Sequence, residues 1–122
     1  MKTILAVDDE ESLRQLIEAI FEQEGYHVLT ASSGQECLDL LQKEKPDLIL
    51  MDMMMPGMSG RETIENIRKN PKTKDQKIIF LTVARFSETG KDVLGKLKVL
   101  DYITKPFENA DLIKTVKKHL GR

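Results

Sequence analysis

The stretch Asp47-Leu48-Ile49-Leu50-Met51-Asp52, continued by Met53-Met54-Met55-Pro56-Gly57-Met58-Ser59-Gly60, sets the reading of the chain. Four consecutive apolar residues are too few for a helix, and the Pro and Gly that follow are turn formers. Such a run reads as a strand buried on both faces. Asp52 stands where that strand stops. A carboxylate is costly to bury, so an aspartate closing an apolar strand either caps a neighbouring element or performs chemistry. Its own segment leaves both roles open, and the other strand ends decide between them.

Upstream, residues 3–7 (TILAV) form an apolar strand that runs into Asp8-Asp9-Glu10-Glu11. Leu13, Leu16, Ile17, Ile20 and Phe21 then recur at helical spacing. The acidic start suits the positive end of a helix dipole, and Gly25 is a C-terminal stop. Residues 27–31 give a weaker strand, and Ser33 with Glu36 predicts a capping box for a helix through Leu38 and Leu41. Downstream, Ser59 and Glu62 predict a second box, for a helix carrying Ile64 and Ile67. A polar loop over 70–76 leads to a strand over 78–81 that ends at Thr82. A poorer helix is expected over 87–97, weakened by Gly90 and Gly95. A fifth strand over 100–104 closes on Lys105-Pro106-Phe107. The last helix carries Leu112, Ile113, Val116 and Leu120 on one side, with Lys114, Lys117, Lys118 and His119 towards its C-terminus.

Strict alternation of strands and helices with short loops implies a parallel sheet covered by helices on both faces. Five such units predict an α/β, flavodoxin-like, doubly wound (βα)5 fold with sheet order 2-1-3-4-5. The 122 residues, 40% apolar and 32% charged, form one domain over 1–122. A net charge of −1 argues against general nucleic-acid affinity. No apolar run approaches the ~18 residues of a membrane span, and the first residues lead straight into a strand. The single cysteine, Cys37, excludes an internal disulfide, reads as a small apolar core residue and fits a reducing cytoplasm. Charge is unevenly placed, with 14 acidic and 5 basic side chains over 1–65 against 6 and 14 over 66–122. Solvated helix faces are the simpler explanation; two faces for different partners is the other.

In doubly wound sheets ligands bind beyond the carboxyl ends of the strands, near the switch point. The first strand ends in Asp8 and Asp9, the third in Asp52, the fourth in Thr82 and the fifth in Lys105. Only the second ends without chemistry. Carboxylates brought this close repel unless one is protonated or a cation intervenes. Lys105 offsets one charge. With oxygen ligands and no His or Cys nearby, a magnesium ion suits the remainder, because it needs only one or two carboxylates and leaves room for a phosphoryl oxygen. Asp52 is then placed to act as a nucleophile forming an aspartyl phosphate. Lys105 supplies a mobile point charge and Thr82 a hydroxyl donor. Positioning and charge neutralisation are most of what phosphoryl transfer requires.

These marks together make the chain resemble, end to end, a response-regulator receiver domain of two-component signalling, similar to single-domain chemotaxis-type regulators. They are the acidic pair Asp8-Asp9, the D-x-x-M-P-x-x-x-G run from Asp52 to Gly60, Thr82, and Tyr102 followed by Lys105-Pro106-Phe107. The resemblance implies that Asp52 takes a phosphoryl group from a histidine kinase or phosphotransfer protein. Asp9 and Asp52 would bind magnesium directly, with the backbone carbonyl of Met54 as third ligand and Asp8 acting mainly through water. The Lys105–Pro106 bond would be cis. Thr82 would move towards phosphorylated Asp52, Tyr102 would turn inward, and the surface of the fourth helix, fifth strand and fifth helix would change shape to signal to a protein target. The resemblance implies a cytoplasmic signalling module, a monomer or weak phosphorylation-dependent dimer, and not an enzyme beyond its self-catalysed phosphorylation and dephosphorylation.

Three departures from the family pattern stand out. Val83 follows Thr82 where a small residue is usual, which predicts a longer-lived phosphoryl group. Lys98-Val99-Leu100 replaces the usual Ala-Gly-Ala turn, and Thr115 stands where receivers of the winged-helix class carry an arginine for dimer pairing. Competing readings are weaker. Five of the six methionines fall between Met51 and Met58, yet no His or Cys in the run completes a soft-metal site. His27 and His119 lack an apparent base partner for a phosphodonor role. A dehalogenase-like phosphatase needs a general acid two residues after its nucleophile, and Met54 has no proton to give. An unphosphorylated interaction module would have no use for the full residue set.

Overall fold

The computed structural model describes residues 1–83 and 95–121. These residues contain the strands β1 (Thr3–Val7), β2 (His27–Ala31), β3 (Leu48–Asp52), β4 (Ile78–Thr82) and β5 (Asp101–Thr104). The helices among them are α1 (Glu11–Gln23), α2 (Gly34–Leu40), α3 (Gly60–Lys69) and the C-terminal α4 (Asn109–Leu120). The helix expected over 87–97, with Gly90 in it, lies outside the described residues except for the helical residues 95–97. All strand pairings are parallel, in the order β2-β1-β3-β4-β5 expected from the sequence.

The pleat divides the core into two layers, because alternate side chains leave a strand on opposite faces. Ile4, Ala6, Leu48, Leu50, Ile79, Leu81 and Ile103 meet Ile17, Ile20 and Phe21 of α1 and Leu112, Val116 and Leu120 of α4. Leu5, Val7, Ile49, Met51, Ile78 and Phe80 meet Cys37 of α2, Ile64 and Ile67 of α3, and Leu97. Covered on both faces, β3 and β4 are buried at every position, which is why they read as unbroken apolar runs. Cys37 is a buried core residue, its thiol pushed up to about 12 by burial.

Local signals hold with two corrections. The Ser59–Glu62 capping box is complete. At α2, Ser33 accepts from the Glu36 N–H, but the Glu36 carboxylate accepts from Ser32 N–H, one residue before the cap, so this box is open. Leu16, expected on the buried face of α1, is 41% exposed, because it falls at the edge of the apolar arc. The basic end of α4 is partly tied down: Lys117 pairs with Glu24 at 2.6 Å and His119 with Asp101 at 3.1 Å. No described helix is long and apolar enough to cross a membrane.

The unusual Lys98 turn has a defined geometry. Lys98 takes a left-handed backbone (φ 57°), a conformation that costs a side-chain-bearing residue roughly 1–2 kcal/mol. The Arg68 guanidinium of α3 holds it. Arg68 Nε donates to the carbonyl of Leu97 at 2.8 Å and Nη2 to that of Lys98 at 3.1 Å, while Nη1 donates to Lys74 and Gln76 at 2.8 and 2.7 Å. One charged group thus fastens the loop before β4 and the turn before β5 to α3. Replacing Arg68 by Ala is expected to lower unfolding stability by about 2–3 kcal/mol, since four carbonyls lose a charge-assisted donor. Replacing Lys98 by Gly is expected to raise it by about 0.5 kcal/mol, strain relief exceeding the added chain entropy. Urea midpoints at constant slope check both.

Candidate functional site

The ladder continues one step past the strand ends and fixes the residues that follow. Asp8 N–H donates to Ala31 O at 3.1 Å, Met53 N–H to Leu81 O at 3.0 Å, and Lys105 N–H to Thr82 O at 2.7 Å. The turn after β3 is held against its own strand as well. Gly57 has φ 75°, a left-handed value suited to glycine. Gly60 opens α3 so close to β3 that a Cβ there would overlap the carbonyl oxygen of Asp52. The glycine at the end of the D-x-x-M-P-x-x-x-G run therefore serves close approach, and its N–H donates to Met53 O at 3.0 Å.

Asp8, Asp9 and Asp52 converge, each offering a carboxylate oxygen within 4.8 Å of the others. Asp8 is fully buried, Asp52 is 6% exposed and Asp9 is exposed. Lys105 Nζ lies between the two buried groups, 2.7 Å from Asp8 Oδ2 and 3.4 Å from Asp52 Oδ1. Asp8 Oδ1 also accepts from Glu10 N–H at 2.9 Å, and Asp52 Oδ1 from Met54 N–H at 3.3 Å. Arg14 of α1 donates from Nη1 to the backbone carbonyl of Asp8 at 2.7 Å, a support that the sequence reading missed. Its signal was a cation one turn into α1, indistinguishable from any solvated arginine.

Burial and the charge of Asp8 push the Asp52 carboxyl up to about 6, against the pull of Lys105 and the Met54 N–H. Burial would lower the Lys105 ammonium, yet its bond to Asp8 and the charges of Asp8 and Asp52 carry it above its ordinary value. Three carboxylates against one ammonium leave a surplus of negative charge in an all-oxygen donor set. That set suits a hard dication such as magnesium.

Thr82 and Tyr102 belong to the other layer. Asp8, Asp52 and Lys105 continue the pleat of Ala6, Leu50 and Ile103, on the α1 and α4 side. Thr82 continues that of Ile78 and Phe80, and Tyr102 packs against the α2 and α3 layer. Thr82 is 1% exposed, and its Oγ1 donates to Met53 Sδ at 3.7 Å. The Met54 side chain is 69% exposed, so a part for Met54 in the site rests with its backbone. The Lys105–Pro106 bond is cis. Val83, 69% exposed, lines a groove of about 480 Å³ beside Lys105, Pro106 and Phe107.

The raised carboxyl has a consequence for stability. Folded Asp52 holds its proton to higher pH than the unfolded chain does, so its contribution is present below about pH 4 and is lost as pH rises through about 6. In the metal-free protein at pH 7, Asp52→Asn is therefore expected to stabilise by about 3 kcal/mol, an advantage that opens between pH 4 and 6. Thermal unfolding of both proteins across that range, with a chelator present, checks it.

Residues 4–117 match the family model for the response regulator receiver domain. The fold is similar to that of the chemotaxis protein CheY4 of Vibrio cholerae, at 34% identity and a TM-score of 0.90 over 97% of this chain and 98% of that one. The receiver domain of the Francisella response regulator 1452 is 30% identical, with a TM-score of 0.89 over 100% and 98%. The response regulator protein TrrA of Thermotoga maritima, solved in complex with magnesium and beryllium fluoride, is 39% identical, with a TM-score of 0.83 over 98% and 99%. With the family model spanning nearly the whole chain and the acidic cluster at the expected strand ends, the chain belongs to the response-regulator receiver domains.

Proposed function

We propose that Asp52 accepts a phosphoryl group from the phosphohistidine of a histidine kinase or phosphotransfer protein, in the cytoplasm, and that the modified domain signals through its surface. The observation that carries this reading is the placement of Lys105 Nζ between Asp8 and Asp52, with Asp9 beside them. The Asp52 carboxylate attacks phosphorus; an O–P bond forms, the donor's N–P bond breaks, and the electron pair leaves with the imidazole. Lys105 sits nearer Asp8 than Asp52, so Asp8 anchors the ammonium while its charge faces the oxygens gathering on Asp52. Asp9 and Asp52, with the Met54 carbonyl, would hold magnesium directly, and Asp8, already bonded to Lys105 and Glu10, would act through water. When bound, magnesium supplies the positive charge that neutralises the carboxylates and the phosphoryl oxygens.

The group is transferred once per modification, so the chain is an acceptor and not a turnover enzyme. A phosphatase of the dehalogenase type is disfavoured by Met54, whose side chain has no proton to donate and points to solvent. In the response, the Thr82 hydroxyl moves to the phosphoryl oxygens and Tyr102 turns inward, reshaping β5 and the helices beside it for a protein target.

Incubation with acetyl phosphate and magnesium is expected to add the mass of one phosphoryl group, with none added in Asp52→Ala or in the presence of a chelator. Multiple turnover of acetyl phosphate with no adduct would sink the reading. Magnesium with beryllium fluoride, the pair bound by the Thermotoga maritima relative, gives a stable stand-in for the modified state. Val83 lines the groove beside Lys105, where its bulk would hinder water on its way to the phosphoryl group. Val83→Ala is expected to shorten the phosphoryl lifetime by about threefold, the equivalent of a small change in barrier. An unchanged decay of the adduct's mass signal would refute that role.

A further inference from the structure

We propose that Met53 is a positioning residue that holds Thr82 in its resting orientation, so that the sulfur next to the phosphoacceptor sets how readily the switch is thrown. The inference rests on the phosphoacceptor reading of Asp52 and adds a residue to it.

Met53 is fixed at both backbone polar groups. Its N–H donates to Leu81 O and its carbonyl accepts from Gly60 N–H, each at 3.0 Å. Its side chain packs against the α2 and α3 layer, the layer that also receives Tyr102. The sulfur is therefore carried by a rigid segment to a place 3.7 Å from the buried Thr82 hydroxyl, which donates to it. Asp52, one residue earlier, leaves the strand on the opposite face. For Thr82 to reach a phosphoryl oxygen on Asp52, its hydroxyl must give up the sulfur.

The chemistry of the two acceptors makes this an exchange with a direction. A thioether is a weak acceptor, whereas a phosphoryl oxygen is charged and strong. A hydroxyl held by sulfur is ordered at rest and released at small cost. The sulfur and a phosphoryl oxygen, as alternative acceptors for the hydroxyl proton, form a two-state element biased by whatever occupies Asp52. An oxygen acceptor at the same position would hold the resting state more firmly, and an aliphatic side chain would offer the hydroxyl no acceptor at that position.

Binding of magnesium with beryllium fluoride, followed by titration of the Thr82 methyl resonance, tests the proposal on the whole chain. Met53→Leu keeps the volume and removes the acceptor. It is expected to shift the resting Thr82 methyl signal and to tighten apparent beryllium fluoride affinity by about threefold, as befits loss of one weak hydrogen bond from the resting state only. Met53→Gln, with a stronger acceptor, is expected to weaken affinity by a similar factor, so the proposal stays testable should either variant fold poorly. In a Thr82→Ala background both effects are expected to vanish. Unchanged affinity in both Met53 variants, or equal changes with and without the Thr82 hydroxyl, would overturn the role of the sulfur. Failure of the unsubstituted protein to bind beryllium fluoride in an Asp52-dependent way would overturn the phosphoacceptor reading instead.

Discussion

One ammonium group, Lys105 Nζ, is shared between two carboxylates that the sheet brings together at its carboxyl edge. Without it, Asp8 would be a fully buried anion beside Asp52, a placement that would drive protons onto one of them. With it, the site carries three acids against one base and stays short of positive charge. The backbone has little freedom to relieve the imbalance. Asp8, Met53 and Lys105 are each tied by a ladder hydrogen bond to the neighbouring strand, and Gly60 presses on the carbonyl of Asp52. The fold thus keeps a surplus of negative charge that suits a dication, at the cost of some stability in the bare protein.

The same sheet sends the acidic cluster and the proposed switch residues to opposite layers. Period-2 alternation sends Asp8, Asp52 and Lys105 towards α1 and α4, and Thr82 and Tyr102 towards the layer of α2 and α3. On the proposed switch a change at Asp52 would meet the other layer at the edge of the sheet, where Thr82 ends β4 next to Met53. A buried hydroxyl at a strand end needs little motion to exchange one partner for another, and tightly packed layers answer small shifts in discrete steps.

The features legible in the sequence were those governed by local chemistry or by sheet burial. Strands covered on both faces must be apolar throughout, so β1, β3 and β4 announced themselves, and so did the residues that ended them. The Ser59 cap and the Gly25 stop follow from backbone groups within one turn. The reach of Glu36 to Ser32, the exposure of Leu16 and the left-handed backbone of Lys98 depend on how elements pack, which periodicity does not encode. Arg68 is the clearest case. As a residue in the last turn of α3 it reads as a dipole-compensating cation, whereas its guanidinium bonds carbonyls of the two segments that precede β4 and β5. The family resemblance identified Lys98 as a departure, but only the geometry shows what replaces a small turn residue there: an external clamp.

The methionine run shows why residue type alone was insufficient at the site. Met51 and Met55 are buried, Met54 lies in solvent, and Met53 sits between, packed on one side and facing the Thr82 hydroxyl on the other. Read as sequence, the run offered a soft-metal box or loop filling, because thioethers are common to both. The pleat assigns different work to neighbours. At position 54 the backbone N–H meets Asp52 and the side chain lies in solvent, whereas at position 53 the side chain is the part that meets the Thr82 hydroxyl. Two adjacent residues of one type, a single peptide apart, therefore meet different surroundings. On the proposed switch Met54 takes part only through its backbone, whereas Met53 presents the sulfur acceptor that the Thr82 hydroxyl would leave.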